Sequence, residues 1–447
     1  MAHKRRYAVV GTGGRMSFFT DALLRDYAEH GDLVAICDLS QSRMDYHNGR
    51  FQQRFGRTFP TYKAADFGRM IDETKPDVVI VTCIDREHHH YAIETLRRGL
   101  DAITEKPMTI DAPKCRAVME AVEQTGRKLR VAFNYRWATL TSRVKEVLAG
   151  GAIGTIKTAN MEYLLDTNHG ADYFRRWHSH MADCGGLLVH KATHHFDILN
   201  WWLDAIPDQV FAYGDLKFYG KRNAVARGDE RLTKYDRYTG NVTPAEDPFA
   251  LNLKDGKGLE GMYYNAEAET GYRRDQNVFR EGIDIYDAMS LNVRYRTGVV
   301  LTYSLTAFSP REGMRVTFNG DRGRLEFYEF GGSHIIKGQS GDELAAEQAA
   351  DKGEHKIVVY PHFKPPYRVE AERGKGGHGG GDPKLIEQIF HPNPPSDLLG
   401  RSAGHEQGAA SILIGIAANT SIKENRPINI LDLVKLKPGA TRLSELV

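Results

Sequence analysis

A short stretch after a glycine pair collects side chains that can move protons or bind a metal ion. Residues 190–197 read His-Lys-Ala-Thr-His-His-Phe-Asp, so three histidines, a lysine and an aspartate lie within eight positions. On a helix over residues 190–203, His190, His194 and Asp197 project from one face, because residues three and four apart are neighbours there. Histidines at this spacing are more often packing or surface groups, so the stretch alone leaves its chemistry open.

A glycine-rich turn near the N-terminus predicts a dinucleotide site. Residues 9–16 read Val-Val-Gly-Thr-Gly-Gly-Arg-Met and join a predicted strand to a predicted helix. Gly11 permits the tight turn, and Gly13 permits close approach of a pyrophosphate to the helix N-terminus. Asp38 ends the second predicted strand, where an acid binds the adenosine ribose hydroxyls. This order of strand, glycines, helix, strand and acid favours a nicotinamide dinucleotide.

The acid also bears on the choice between NAD and NADP. The Asp38 carboxylate would repel a 2′-phosphate, so we expect NAD, although the nearby Arg43 leaves NADP open. Other candidates for the cofactor site lie in the turn or near the carboxyl ends of later strands, where the crevice of such a sheet lies. They are Thr12, Gly14, Arg15, Met16, Thr82, Cys83, His88, Glu105, Lys106 and Asn134.

The order of the predicted strands and helices that must position these residues changes along the chain. Apolar runs at 6–11, 33–38, 77–82, 102–105 and 129–134 alternate with amphipathic stretches, which predicts a doubly wound parallel sheet. After residue 134 the predicted strands follow one another directly, which predicts an α+β domain with an open, mostly antiparallel sheet. We expect a Rossmann domain over residues 1–135 and a substrate and oligomerisation domain over 136–447. A polar insertion at about 220–284 lies over the cleft or is a surface excursion without a role.

Composition and charge give no support for a nucleic-acid-binding or membrane protein. With 447 residues, 41% hydrophobic, 26% charged and a net charge of +2, the chain gives no bulk electrostatic reason to bind nucleic acid or a membrane. No apolar run is long enough for a membrane span. Four cysteines without paired spacing indicate a reducing compartment, so a cytoplasmic location is expected.

One further motif supplies a resemblance. Residues 104–108 read Thr-Glu-Lys-Pro-Met. Together with the glycine turn, Asp38, His88, Gly99, the histidine stretch and the closing segment IKENRPINI, they resemble the Gfo/Idh/MocA oxidoreductase family. The resemblance implies a Rossmann domain joined to an α/β domain with an open sheet, and a tightly held nicotinamide cofactor. It also implies oxidation or reduction of secondary hydroxyls of sugars and cyclitols, a Lys–Pro peptide that is often cis, and a homodimer or homotetramer.

Lys106 is the first candidate for catalysis. It ends the fifth predicted strand, and a lysine inside a cleft beside a cationic nicotinamide should have a lowered pKa, so that it can accept a hydroxyl proton. The resemblance implies that His194 is the catalytic histidine. His190 stands where the family has an aspartate, so a Lys–Asp–His triad is not simply carried over. We expect Lys106 and His194 to act together, with His190 as a second imidazole.

The same cleft should bind the substrate. Aromatic and basic side chains suit a sugar, although each is equally compatible with packing at the domain junction: Lys106, Tyr135, Arg136, Tyr163, Trp177, His178, Lys191 and His194. Hydride transfer needs no metal, and none is expected. The alternative is a transition metal held by His178, His190 and His194, because neutral imidazoles suit such ions.

These observations lead to one expected function and two alternatives. We expect NAD-dependent oxidation of a secondary hydroxyl of a sugar or glycoside, with C3 as the specific position. The first alternative is a glycoside hydrolase that oxidises C3 transiently, which acidifies the C2–H bond so that the aglycone is eliminated. The second is a cofactor-binding sensor without catalysis, against which the presence of Lys106 and His194 argues.

Overall fold

The computed structural model describes residues 4–331 and 353–446. It contains sixteen strands: β1 Arg5–Val10, β2 Gly31–Asp38, β3 Thr61–Lys63, β4 Val78–Val81, β5 Asp101–Thr104, β6 Leu129–Val131, β7 Ile156–Asp166, β8 Pro207–Asp215, β9 Ala288–Tyr295, β10 Val300–Ser309, β11 Gly313–Gly320, β12 Gly323–Phe330, β13 Glu354–Pro361, β14 Tyr367–Arg368, β15 Ala403–Gly404 and β16 Ile428–Asn429. The α-helices are α1 Met16–Arg25, α2 Gln41–Phe55, α3 Phe67–Thr74, α4 His88–Arg97, α5 Ala112–Thr125, α6 Thr139–Ala149, α7 Thr167–Arg175, α8 Met181–Cys184, α9 Leu187–His190, α10 Ala192–Leu203, α11 Lys221–Ala226, α12 Lys257–Leu259, α13 Glu267–Thr270, α14 Gly377–Phe390, α15 His405–Glu424 and α16 Ile430–Leu433.

The N-terminal sheet has seven strands in the order β15-β6-β5-β4-β1-β2-β3. Strands β1 to β6 run parallel, and β15 joins the edge antiparallel to β6. All four residues of β4 are buried, as expected for a strand covered on both faces. The predicted doubly wound sheet is confirmed. Helix α2 has a polar sequence and buries only Met44, His47 and Phe51.

The second sheet has nine strands in the order β14-β13-β12-β11-β7-β10-β9-β8-β16. Strands β7 and β10 pair in parallel, and the other neighbours pair antiparallel. This confirms the predicted open, mostly antiparallel sheet, to which the structure adds β13, β14 and β16. Helix α10 is buried at every position. Among the described residues, no helix is both long and apolar enough to cross a membrane.

The insertion at 220–284 is ordered around buried carboxylates. Asp275 accepts hydrogen bonds from the Arg237 guanidinium at 2.7 and 3.1 Å and from the Thr239 backbone N–H at 2.7 Å. Next to the insertion, Asp287 accepts from the backbone N–H groups of Lys217 and Tyr219. These hydrogen bonds satisfy the buried acids. The insertion also contains the short helices α11, α12 and α13 and a π-helical turn at Glu260–Tyr264.

Candidate active site

A cavity of about 890 Å³ opens at the carboxyl ends of β1, β4 and β5. Its other walls come from residues 169–194 and from residues 263–274 of the insertion. Most predicted site residues line it: Gly11, Gly13, Gly14, Arg15, Asp38, Arg43, Thr82, Cys83, His88, Glu105, Lys106, Asn134, Tyr135, Trp177, His178, His190, Lys191 and His194. Thr12, Met16, Arg136 and Tyr163 are not among its lining residues.

The glycine turn has the geometry that a dinucleotide needs. Gly11 has φ +92°, and a Cβ there would lie 2.3 Å from the backbone nitrogen of Cys83. The Asp38 carboxylate accepts the backbone N–H of Thr12 at 2.5 Å, and Thr12 is fully buried. Met16 is fully buried in the core, which explains how it can replace the last glycine of the motif. A cavity beside the glycines, entered there by the Tyr263 hydroxyl, and an acid at the end of β2 are the features expected at a pyrophosphate and a ribose.

Lys106 reaches a carboxylate through an imidazole. Its Nζ lies 3.2 Å from Nε2 of His190, and Nδ1 of His190 lies 2.5 Å from Oδ2 of Asp85. We assign the Nδ1 hydrogen to His190, which then donates to Asp85 and accepts from Lys106. The cis peptide bond at Lys106–Pro107 agrees with the resemblance. The side chain of His88 contacts the carbonyl oxygens of Pro107 and Cys83, next to this cluster.

Burial shifts all three groups toward their neutral forms. It lowers the pKa of Lys106 to about 8, with Asp85 and Glu105 opposing the shift. Burial also raises the pKa of Asp85 well above its usual range, and it lowers the pKa of His190 well below its ordinary value. A proton can therefore pass from the lysine toward the carboxylate at a smaller free-energy cost than between the same groups in water.

Asp85 was not among the predicted site residues. It follows β4 at the sheet edge where the cavity opens, between Thr82 and His88. Its position three residues after Thr82 was the available signal. What the sequence did not show is its bond to a histidine 105 residues away.

His194 lies in the same cavity but in a different setting. Its ring stacks on Tyr135 with centroids 4.5 Å apart, and its Nδ1 has no hydrogen-bond partner among the described residues. Burial, with Lys106 and Lys191 adding to it, lowers the pKa of His194 well below its ordinary value. His194 is therefore a neutral imidazole at the cavity wall.

Two predicted substrate residues, Arg136 and Tyr163, are buried in the protein interior and do not line the cavity. Arg136 is fully buried and binds Asp197 through two hydrogen bonds of 2.6 and 2.7 Å, and Gln407 at 2.6 Å. This corrects the predicted substrate role of Arg136. Both carboxylate oxygens of Asp197 accept hydrogen bonds from Arg136. Tyr163, on β7, stacks on His195 of α10 with centroids 3.9 Å apart, so its ring lies between the sheet and the helix, and its hydroxyl lies 3.4 Å from that of Tyr135 at the cavity wall.

The other predicted substrate residues form an aromatic and basic wall. Trp177 stacks on His178 with centroids 3.5 Å apart. The Nζ of Lys191 lies 3.5 Å from the Tyr135 hydroxyl. Burial opposes the charge of Lys191, but tyrosines 135 and 173 and Glu312 hold its pKa above the ordinary value. Stacked rings and a cationic donor in one wall are suited to the apolar faces and hydroxyls of a sugar.

A second hydrogen-bonded chain, which sequence reasoning missed, enters the cavity from the other sheet. Nδ1 of His169 lies 2.9 Å from Oε2 of Glu312, and Nε2 of His169 lies 3.0 Å from the Tyr173 hydroxyl. Tyr173 and His169 line the cavity, and burial raises the pKa of Tyr173 to about 12. Glu312 precedes β11, 143 residues from His169, so no local sequence pattern connects them.

The insertion covers the glycine turn, as one of the two sequence hypotheses expected. The hydroxyl of Tyr263 accepts the N–H of Gly14 at 3.1 Å, and the carbonyl of Met262 accepts Nε of Arg43 at 2.8 Å. Arg274 of the insertion binds Asp172 at 2.8 Å across the cavity wall. These contacts bring residues of the insertion to the cofactor end of the cavity.

The structure also bears on the alternative metal site. Among residues 4–331 and 353–446, no group of three or more His, Cys, Asp or Glu side chains is arranged to hold a metal ion. Both ring nitrogens of His190 are already engaged by Lys106 and Asp85. The predicted alternative of His178, His190 and His194 as ligands is therefore not supported.

Each of the two parts of the chain matches a model of a known protein family. Residues 5–133 match the family model described as "Oxidoreductase family, NAD-binding Rossmann fold". Residues 145–430 match the one described as "Oxidoreductase family, C-terminal alpha/beta domain". The chain is 33% identical over 434 residues to YteT of Bacillus subtilis, which carries the name of an oxidoreductase; the match covers 94% of this chain and 96% of that protein.

More distant relatives match over about half of their length or less. An inositol 2-dehydrogenase/D-chiro-inositol 3-dehydrogenase of Lactiplantibacillus plantarum is 23% identical over 45% of this chain and 53% of its own. A glycosyl hydrolase family 109 protein of Akkermansia muciniphila is 24% identical over 36% of this chain and 34% of its own.

A solved structure shares the fold over nearly the whole chain. The WlbA dehydrogenase of Bordetella pertussis, in complex with NADH and UDP-GlcNAcA, superimposes with a TM-score of 0.60 at 16% identity, covering 96% of this chain and 99% of its own.

Proposed function

Because this chain belongs to the Gfo/Idh/MocA family of oxidoreductases and its Rossmann domain binds NAD, we propose that it oxidises a secondary hydroxyl of a sugar or glycoside, at C3. The observation that carries the proposal is the buried chain Lys106–His190–Asp85 at the edge where the glycine turn opens. The inositol dehydrogenase among the relatives supports a polyhydroxylated substrate.

The residues of this chain divide the work between binding and proton transfer. Gly13 and Gly14 would lie beside the pyrophosphate of a bound dinucleotide, and Asp38 would lie beside its adenosine ribose. When bound, NAD supplies the acceptor for the hydride that leaves the substrate carbon. Trp177 and Tyr135 pack against the sugar and hold its carbon in place, and positioning of this kind supplies a large part of the acceleration.

Lys106 takes the hydroxyl proton. Its pKa of about 8 makes the neutral amine accessible near physiological pH. His190 accepts the proton at Nε2 and releases the one at Nδ1 to Asp85, so the charge moves away from the cationic ring of the cofactor. His194 contributes a neutral imidazole that can hydrogen-bond the substrate.

Replacement of the lysine tests this proposal. Lys106→Met should lower the rate of NADH formation at saturating NAD by at least about 100-fold across a panel of glycosides. Lys128→Met, at an exposed lysine of the same domain, is the matched control. Undiminished turnover of the Lys106 variant would overturn the assignment.

The second chain favours one further candidate, a glycoside hydrolase in which NAD is recycled. Oxidation at C3 makes the C2 proton acidic; its loss expels the aglycone from C1, water adds at C1, and the ketone is reduced by the NADH formed in the first step. The net reaction is hydrolysis. This route needs an acid and a base beyond Lys106, and Tyr173, backed by His169 and Glu312, can serve as one of them.

The products distinguish the two functions. Release of aglycone without net NADH indicates the hydrolase, whereas NADH in stoichiometric amount indicates the dehydrogenase. For the hydrolase, Tyr173→Phe should slow both aglycone release and exchange of the C2 proton with deuterated water while C3 oxidation continues. Exchange at the wild-type rate in this variant excludes Tyr173 from the reaction.

A further inference from the structure

The carboxylate of Glu269, in the insertion, is bound at the N-terminus of α2. It accepts the backbone N–H groups of Gln41 at 2.5 Å and Ser42 at 3.1 Å, and it also accepts the Ser42 hydroxyl. Lys63, on β3, donates to it at 3.3 Å. The hydrogen bond from Ser42 is the first cause of a lowered pKa, about 2, so Glu269 is ionised at neutral pH.

These contacts use the donors of the first turn of α2. The third N–H, that of Arg43, is taken by the Ser40 hydroxyl at 3.1 Å. A helix N-terminus favours negative charge because its first N–H groups have no partner within the helix. Here a glutamate from another part of the chain, with a serine and a lysine beside it, satisfies that preference.

The bound carboxylate lies beside the predicted adenosine site. Helix α2 begins three residues after Asp38, whose Oδ1 accepts the N–H of Ser40 at 2.9 Å. Asp38, Leu39 and Arg43 line this end of the cavity from the Rossmann domain, and Thr270 and Gly271, next to Glu269, line it from the insertion. Because Asp38 is the residue expected to bind the adenosine ribose, the 2′-position of a bound dinucleotide would face the start of α2, where Glu269 is bound; Glu269 itself is not among the residues that line the cavity.

We propose that Glu269 sets the cofactor preference of this chain, because it occupies the place beside Asp38 that the 2′-phosphate of NADP would need. A phosphate monoester carries a charge of about −1.5 to −2 at neutral pH. The helix N–H groups, Ser42 and Lys63 could compensate that charge, but Glu269 holds them. Arg43 is engaged by Asp38 at 3.5 Å and by the Met262 carbonyl at 2.8 Å. The 2′-phosphate of NADP would be repelled by the carboxylates of Asp38 and Glu269, and the hydrogen-bond donors near it are already bound to Glu269.

This assignment explains why the pairing of Asp38 with Arg43 left the preference open in the sequence. The deciding residue lies 228 positions from Gln41 along the chain. The proposal rests on the NAD site and not on the sugar chemistry, so its test needs no turnover.

Binding of two small probes isolates the adenosine end. Calorimetry with 5′-AMP and with adenosine 2′,5′-bisphosphate measures the contribution of the 2′-phosphate directly. In Glu269→Ala the bisphosphate should gain at least about tenfold in affinity relative to 5′-AMP, about 1.4 kcal/mol. Glu269→Gln, which removes the charge at nearly constant size, should gain less because its amide still fills the place. Full-length NAD and NADP should follow the same ranking.

Two further variants sharpen the test. Glu281→Ala removes a glutamate of the same insertion that is paired with Lys221 and mostly exposed, and it should leave the ratio of affinities unchanged. Adding Lys63→Ala to Glu269→Ala should reverse part of the gain. An unchanged ratio in both Glu269 variants, with NAD still bound, would overturn the proposal. An equal gain for both probes would overturn it as well, because it would indicate mere opening of the site.

Discussion

Replacing Asp85 by Asn tests whether the carboxylate behind His190 takes part in proton transfer. Asparagine keeps the shape and can still hydrogen-bond Nδ1 of His190, but it removes the negative charge and the final proton acceptor. The hydrogen bonds of 3.2 and 2.5 Å on the two sides of the imidazole define the path that is interrupted.

The expected shift follows from the distance between the two charges. Allowing for the ring, Nζ of Lys106 lies roughly 7 Å from the Asp85 carboxylate, and at an effective dielectric constant of about 20 their attraction is about 2.4 kcal/mol. One pKa unit corresponds to about 1.4 kcal/mol. Loss of the charge should therefore lower the pKa of Lys106 from about 8 by roughly 1 to 2 units.

The assay is the pH dependence of kcat/KM for sugar oxidation. In the wild type the rate should rise as Lys106 loses its proton and level off above about pH 8. In Asp85→Asn the rise in kcat/KM should move to lower pH. The plateau should fall by about 100-fold, because the proton that leaves His190 has no final acceptor. A solvent deuterium isotope effect should change with it, which a purely structural role would not cause.

Asp72→Asn removes an exposed carboxylate that pairs with Arg98 in the same domain, and it is the matched control. The reasoning is refuted if Asp85→Asn keeps kcat within about threefold of wild type and its pH profile does not move.

Three further outcomes follow from particular contacts. Arg136→Met should cost about 3–5 kcal/mol in the free energy of unfolding, because it leaves the buried Asp197 carboxylate without its partner; denaturant titration measures this. Gly11→Ala should raise the Kd for NAD by at least about tenfold, since its Cβ would overlap the Cys83 backbone and φ is +92°; fluorescence quenching by NAD measures this. In the opposite direction, ketone reduction with NADH should fall as pH rises above about 8, because Lys106 must then donate its proton; an NADH-consumption assay checks the sign.

Sequence reasoning succeeded where a residue's position follows from a single strand or turn. The glycine turn, Asp38 and Lys106 each lie at the carboxyl end of a strand of the parallel sheet, and these ends meet at one edge of the sheet. The prediction was weaker for side chains of mixed character. Arg136 could have faced a sugar or the core, and only its burial against Asp197 decides between them.

The sequence by itself determined the glycine turn, the parallel sheet, the acid at the end of β2 and the lysine at the sheet edge. The tertiary structure alone decided which distant groups complete them: Asp85 behind His190, Glu312 behind His169, and Glu269 on helix α2. The physical reason is that periodicity and motifs report local backbone structure, whereas a hydrogen bond between segments 100 to 230 residues apart depends on how the packed elements bring their side chains together.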